Sequence, residues 1–316
     1  MSKLGKRHVP GLIILTILLG LVVPPFVNVG RYRAYIADAM SRALGRPVTF
    51  GSISLRLLPQ PGFELENFIV GDDPAYSAEP VLRADQVTAI LRISSLWRGR
   101  LEIARLNFQY PSLNLVRRQD GGWNLEPLLY RASKTPAAPT TSMRPQSRPR
   151  FPYIEATDGR INFKYGLEKK VFAFTEAKFA VWSPSENEWR IRLEAKPVRT
   201  DLVVADTGRI LAEGSFRGAD ELRNTQLNLQ LAIERSQLGQ LSRLIYGRDR
   251  GWRGALDLDA QVTGTPADLK FTTNAALQNF RRYDIMRGES LQFQAHCTGR
   301  LSTVEQKVDG VRCTVP

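Results

Sequence analysis

From residue 62 onward, apolar and polar side chains alternate with period two, and the pattern recurs along most of the chain. Residues 62–70, 81–93, 101–110 and 113–117 read as strands by this alternation. At Ala104-Arg105 the phase slips, because Leu101 and Ile103 give way to Leu106, Phe108 and Tyr110. One extra residue there, a β-bulge, accounts for the slip. The alternation returns at Ile161, Phe163 and Tyr165, then at Trp189, Ile191, Leu193 and Ala195. It continues at Leu227, Leu229, Leu231 and Ile233, and at Leu256, Leu258, Ala260 and Val262. Leu269, Phe271, Thr273, Ala275 and Leu277 form a further strand, and Leu291, Phe293 and Ala295 another.

Two stretches break the period. In residues 31–44, Tyr32, Tyr35, Ile36, Ala39, Met40, Ala43 and Leu44 follow helical spacing, with Gly45 as the stop. This helix either lies along a membrane interface or caps the first sheet. The second helix is expected to start at an N-cap Ser236, carry Leu238, Leu241, Leu244 and Ile245 as its stripe, and end at Gly247. Because helices do not alternate with strands, the expected fold is mainly β, an antiparallel sheet with one apolar and one polar face.

Ahead of all this stand 21 uncharged residues, 9–29, centred on Leu12-Ile13-Ile14-Leu15-Thr16-Ile17-Leu18-Leu19. As a helix they span roughly 30 Å, the hydrocarbon thickness of a bilayer. A cleaved signal peptide is the rival, but no Ala-x-Ala site follows. The expectation is an uncleaved single-pass anchor with residues 1–8 cytoplasmic. Lys3, Lys6 and Arg7 precede the segment, against Arg31 and Arg33 after it. That bias is small, but large domains translocate largely regardless of loop charge, so the body is placed outside the cytoplasm.

Residues 131–152, rich in Pro, Ser, Thr and basic side chains, read as a linker or exposed loop. It divides a first β module, 30–130, from a second β segment, 153–316.

The chain carries a formal charge of +13. Its basic residues mostly alternate with apolar ones inside strands, as in Arg190-Ile191-Arg192-Leu193, which describes the solvated face of a half-buried sheet. Nucleic acid is therefore not an expected partner, and weak attraction to anionic headgroups is.

Catalytic chemistry is hard to assemble. There are two histidines, His8 and His296, and neither a Gly-x-Ser-x-Gly elbow, a Walker A loop nor a Gly-x-Gly-x-x-Gly motif occurs. Asp257 and Asp259 alternate with Leu256 and Leu258 and read as solvated side chains. We expect no enzyme activity, no cofactor and no metal. Cys297 and Cys313 lie in strands near the C-terminus and form either one cross-strand disulfide or two buried thiols.

A set of short motifs gives the first half a family likeness. They run in order: Ala43-Leu44-Gly45-Arg46-Pro47-Val48; Leu57-Leu58-Pro59-Gln60-Pro61-Gly62-Phe63; Leu65-Glu66-Asn67-Phe68; Val70-Gly71-Asp72-Asp73-Pro74; Leu96-Trp97-Arg98-Gly99-Arg100-Leu101-Glu102-Ile103; Tyr110-Pro111-Ser112-Leu113-Asn114-Leu115; and Asp120-Gly121-Gly122-Trp123-Asn124-Leu125. In order and spacing over residues 9–129 the chain resembles the AsmA family of bacterial envelope proteins. Asp158-Gly159-Arg160-Ile161-Asn162-Phe163 and Gly264-Thr265-Pro266-Ala267-Asp268-Leu269 resemble its recurring strand-entry turns. Members of the family are usually longer, so the chain reads as a short or truncated member.

The resemblance implies a long, curved sheet with an apolar concave face, related to bridge-type lipid-transfer proteins. On that basis the expected function is a periplasmic body, anchored in the inner membrane, whose groove binds or conducts phospholipid in support of outer-membrane biogenesis. The alternative is a periplasmic scaffold or assembly factor that contacts other envelope proteins through sheet edges. Ile161, Phe163, Tyr165, Leu229, Leu231, Leu256 and Leu258 are the candidate lipid contacts. Alternation is equally compatible with an open groove and with the closed core of a β-sandwich.

Overall fold

The computed structural model describes residues 29–96, 102–128, 152–185, 188–217, 224–282 and 289–315. The anchor segment 9–29 lies outside this set except for its last residue, and the linker 131–152 likewise. Among the described residues no helix is long and apolar enough to cross a membrane.

A 3-10 turn, Val29–Tyr32, leads into α1, Arg33–Leu44. The strands of the first half are β1 (Val48–Thr49), β2 (Ser52–Arg56), β3 (Gly62–Val70), β4 (Leu82–Leu91), β5 (Ile103–Gln109) and β6 (Ser112–Arg117), with the short α2 (Ile93–Leu96) after β4. The second half contributes β7 (Tyr153–Tyr165), β8 (Glu168–Ser185), β9 (Glu188–Arg199), β10 (Arg209–Arg217) and β11 (Gln226–Gln237). Helix α3 (Leu238–Tyr246) follows, then β12 (Trp252–Thr265), β13 (Asp268–Arg282), β14 (Leu291–Ser302) and β15 (Lys307–Thr314).

All 15 strands belong to one curved sheet, and from β7 to β15 each strand pairs with its neighbour in sequence. The sheet is mixed rather than antiparallel throughout. β5 and β6 run in the same direction, as one strand interrupted at Tyr110-Pro111, and β7 pairs with both of them in parallel. The interruption is matched on β7 by Asp158, which, like Tyr110, has a positive φ. Hairpin turns force neighbouring strands to be antiparallel. The connection between β6 and β7 is far longer than a hairpin turn, which lets β7 re-enter in the direction of β5 and β6. The bulge expected at Ala104 is present, since Ile90 pairs with Arg105 and Leu91 with Ile103. β7 also joins the strands on either side of the linker into a single sheet.

The closed core sits at the N-terminal end. Val48, Phe50, Leu65, Phe68, Val70, Val87 and Phe108 are buried there, and Ile36, Ala37, Met40 and Leu44 of α1 pack against them. α1 therefore caps the sheet with Ile36, Met40 and Leu44 of its stripe, while Tyr35 stays exposed. Gly45 closes it with a φ of 63°.

A polar clasp lies beside this core. Arg46 is buried, with Nη1 3.0 Å from Asp73 Oδ2 and Nη2 3.7 Å from Asp72 Oδ1. Asn124, wholly buried, donates to Asp72 Oδ2 at 2.7 Å and to the Asn114 carbonyl, and its Oδ1 accepts from the Val116 amide. Three segments distant in sequence are thereby tied together. Asp72-Asp73-Pro74 does form the expected turn, with Asp73 Oδ1 accepting from the Ala75 amide. That Asp72 is drawn inside is a tertiary fact.

At α3 the cap differs from the expectation. Gln237 is the N-cap residue and makes no side-chain cap, because Ser236 is buried and its hydroxyl donates to the Thr207 carbonyl at 2.6 Å. A backbone carbonyl from the neighbouring loop takes the hydroxyl that a free helix end would use. Gly247 ends the helix in the left-handed region, its amide bonded to the Arg243 carbonyl.

Candidate functional site

Beyond the capped end the sheet changes character. The register lines up the apolar positions of successive strands into rows that cross the sheet. One row runs Ile191, Gly214, Leu229, Val262, Phe271, Gly299. The next runs Leu193, Ala212, Leu231, Ala260, Thr273, Cys297. The row on the opposite face, one residue over, is Arg192, Glu213, Gln230, Gln261, Thr272, Thr298. A single backbone layer thus separates a continuous apolar surface from a polar one, as the pleat requires.

The polar face is held by pairs such as Arg192–Glu213 at 3.2 Å and Arg209–Glu194 at 2.7 Å. These ion pairs are exposed and add little stability; they keep the face wet. The described strands all belong to one sheet, so this face is not packed against a second, separate one. On β10 to β13, Val262 and Leu269 are the large apolar side chains buried in it, and its leucines and phenylalanines otherwise keep partial exposure. Among the described residues the apolar face is one side of a single curved sheet, not the interior of a two-sheet sandwich.

Two glycines shape that face. A Cβ at Gly214 would lie 2.1 Å from the Asn228 carbonyl oxygen, so no side chain fits there without parting β10 from β11. A Cβ at Gly299 would lie 2.5 Å from Phe271 Cζ, because the Phe271 ring covers that position. Side-chain-free backbone under an aromatic ring keeps the surface shallow in a row otherwise filled with Leu, Ile and Val.

The seven candidate contacts all fall on this face. Ile161, Phe163 and Tyr165 of β7 lie in its more closed part, where Ile161 is buried against Phe163, Phe174 and Leu113. Phe163 meets Phe174 edge to face with ring centroids 5.4 Å apart. Tyr165 is exposed at the strand end. Leu229, Leu231, Leu256 and Leu258 lie together further along, on adjacent strands β11 and β12. β8 and β10 escaped the sequence pattern. They bring Phe172, Phe174, Phe179 and Val181, and Ile210 and Phe216, onto the same surface. The period-two signal was present in Phe172, Phe174, Phe179 and Val181, but the bulge at Thr175–Lys178 breaks its phase. In β10 the extra Leu211 and the small residues Ala212 and Gly214 mask it.

Cys297 and Cys313 are in register on β14 and β15, with Cα atoms 4.1 Å apart, and are joined in a disulfide. Among the described residues no group of three His, Cys, Asp or Glu side chains is placed to hold a metal ion. His296 hydrogen-bonds Asn274 at 2.7 Å on the polar face.

The model of the AsmA family matches residues 1–167, more than half of the 316. The chain belongs to the AsmA family. In this AsmA-family chain the motifs that carry the likeness build the capped end: Arg46, Asp72 and Asn124 form its clasp, and Gly45 its helix stop. The open face beyond residue 188 lies past the matched region. No curated protein and no solved structure matches the chain.

Proposed function

We propose that this AsmA-family protein is anchored in the bacterial inner membrane by residues 9–29 and holds phospholipid acyl chains on the apolar face of its periplasmic sheet, in support of outer-membrane biogenesis. The observation that carries this reading is the unbroken row structure from Ile191 to Gly299, apolar on one side and polar on the other, with no second sheet covering it among the described residues. A continuous row of apolar side chains left partly exposed is costly in water and suits a binding surface. Each methylene of an acyl chain laid on it gains about 0.8 kcal/mol. Headgroups stay in solvent, so no convergent polar site is needed, and the protein acts by binding and not by catalysis.

The test is to purify the body from residue 29 and identify co-purifying lipid by native mass spectrometry. Phospholipid at defined stoichiometry supports the proposal. A folded, lipid-free body argues for the second reading, a scaffold for envelope proteins. That reading has its own observation: β15 ends the sheet with its outer edge unpaired among the described residues and with Val308 and Val311 exposed, an edge to which an incoming strand can add.

A further inference from the structure

One surface stands apart from both the apolar face and the clasp. It lies at the rim of the sheet, where β11 runs out into α3 and β12 begins. Leu244 of α3 is buried, whereas the two residues after it face outward: Ile245 is 56% and Tyr246 49% exposed. Around them the sequence supplies Arg243, Arg248, Arg250 and Arg253, all exposed. The pairing of Trp252 with Arg282 and of Arg253 with Arg281 brings two more arginines to the same rim. The segment 238–253 holds four of these arginines and one acid, Asp249, which is engaged by both terminal nitrogens of Arg253, at 3.0 Å each; beside it Asp201 pairs with Arg199, whose Nη1 donates to the Leu244 carbonyl.

The aromatic residues are fixed in place. Tyr246 meets Trp252 edge to face at 6.0 Å, and the Arg250 guanidinium lies 4.8 Å from the Tyr246 ring centre. Trp252 begins the strand that continues into Leu256 and Leu258 of the apolar face.

We propose that α3 and the turn 247–253 form a docking surface for an anionic phospholipid bilayer. The chemistry matches in both parts. Planar guanidinium groups bind phosphate oxygens in pairs and are weakly hydrated, so they suit headgroups. Exposed aliphatic and tyrosyl groups set among them suit the interfacial layer just below. Each arginine near a negatively charged surface contributes about 1 kcal/mol of attraction. A basic rim with Ile245 and Tyr246 exposed among its arginines fits a bilayer better than a folded acidic protein, whose carboxylates would leave Ile245 without a partner. Docking at this rim places a membrane beside the leucines of β11 and β12. It extends the lipid-holding reading, and it is measured separately from it.

Both native cysteines are taken up in the disulfide, so an added cysteine is a unique label site. The full chain, held in phosphatidylcholine nanodiscs, would carry an environment-sensitive fluorophore at Ile245→Cys. It would be mixed with separate phosphatidylglycerol vesicles containing nitroxide-labelled lipid. The expected result is a blue shift and loss of emission with these vesicles. Neither should occur with phosphatidylcholine vesicles, and both should vanish in high salt and in Arg248→Gln/Arg250→Gln. A label at Val304→Cys in the turn after β14 should stay bright. An unquenched label at 245, or equal quenching at 304, overturns the proposal. Failure of the chain to enter nanodiscs would count against the anchor, and lipid retention unchanged by a charge on the apolar face would count against the groove. Neither alters the reading at 245, which can then be taken on the chain in detergent-free solution.

Discussion

Arg117 Nη2 donates a hydrogen bond to the carbonyl of Thr303 at 3.3 Å, across 186 positions of sequence. Arg117 ends β6, and Thr303 lies in the turn after β14. Eight strand-to-strand steps separate the two, and at roughly 20–25° of twist per step they amount to about half a turn. That is why the C-terminal ends of β6 and β14 can meet although the two strands run in opposite directions in the sheet. Arg117 alternates with Leu113 and Leu115, which belong to the apolar face, so the sheet closes toward that side. The turn is itself fixed, since the Thr303 amide and hydroxyl both bond to the Pro266 carbonyl.

Arg117→Ala should loosen this closure. Spin labels at Leu167→Cys and Val304→Cys, both exposed and beside the two partners, would report it. We expect a longer and broader distance distribution in the variant. An unchanged distribution would mean that twist alone sets the curvature.

The two faces make a sharp paired test for lipid binding. Leu229→Asp places a charge in the middle of the apolar row, whereas Gln230→Asp places the same charge one residue along, on the polar face. Leu229→Asp should lose co-purifying phospholipid and keep its circular dichroism spectrum, and Gln230→Asp should retain the lipid. Equal retention in both would remove the apolar face as the binding surface.

The clasp gives stability a defined pH signature. Burial holds the Asp72 carboxyl above its ordinary pKa, despite the Asn124 hydrogen bond and the Arg46 charge that pull it down. A carboxyl raised in the folded state contributes most below its unfolded pKa and loses that contribution as pH rises through the folded value. Asp72→Asn cannot titrate. The stability difference between wild type and Asp72→Asn, read as urea midpoints, should therefore narrow as pH rises from the carboxylate range toward neutrality. A difference that widens would reverse the assignment. Arg46→Ala leaves Asp72 buried without its cation and should cost about 3 kcal/mol at neutral pH.

The disulfide bears on the sheet edge. Cys297 and Cys313 close a 16-residue separation that includes the turn between β14 and β15. Cys313→Ser should raise amide exchange in residues 307–314 by on the order of a hundredfold, as expected from about 3 kcal/mol of loop entropy. Exchange in β11 and β12 should be unaffected. Protection of β15 that survives the substitution would show that its backbone pairing is sufficient.

Period two, helical spacing and stop glycines are local signals, so most strands from β3 to β14, both main helices, the bulge at Ala104 and seven residues of the apolar face could be read along the chain, whereas the bulge in β8 and the small residues of β10 hid those two strands. The likeness to the AsmA family was legible too, in motifs such as Ala43-Leu44-Gly45-Arg46 and Gly121-Gly122-Trp123-Asn124. What alternation cannot encode is what lies opposite an apolar side chain. Leu65 and Leu229 look alike in sequence, yet the first is buried in the core against which α1 packs, while the second keeps partial exposure further along the same sheet. The parallel entry of β7, the diversion of Ser236 from helix cap to loop anchor, the burial of Asp72 by Asn124, and the meeting of Arg117 with Thr303 likewise depend on contacts between segments tens to hundreds of residues apart. Only the accumulated pairing and twist of the whole sheet bring those segments together.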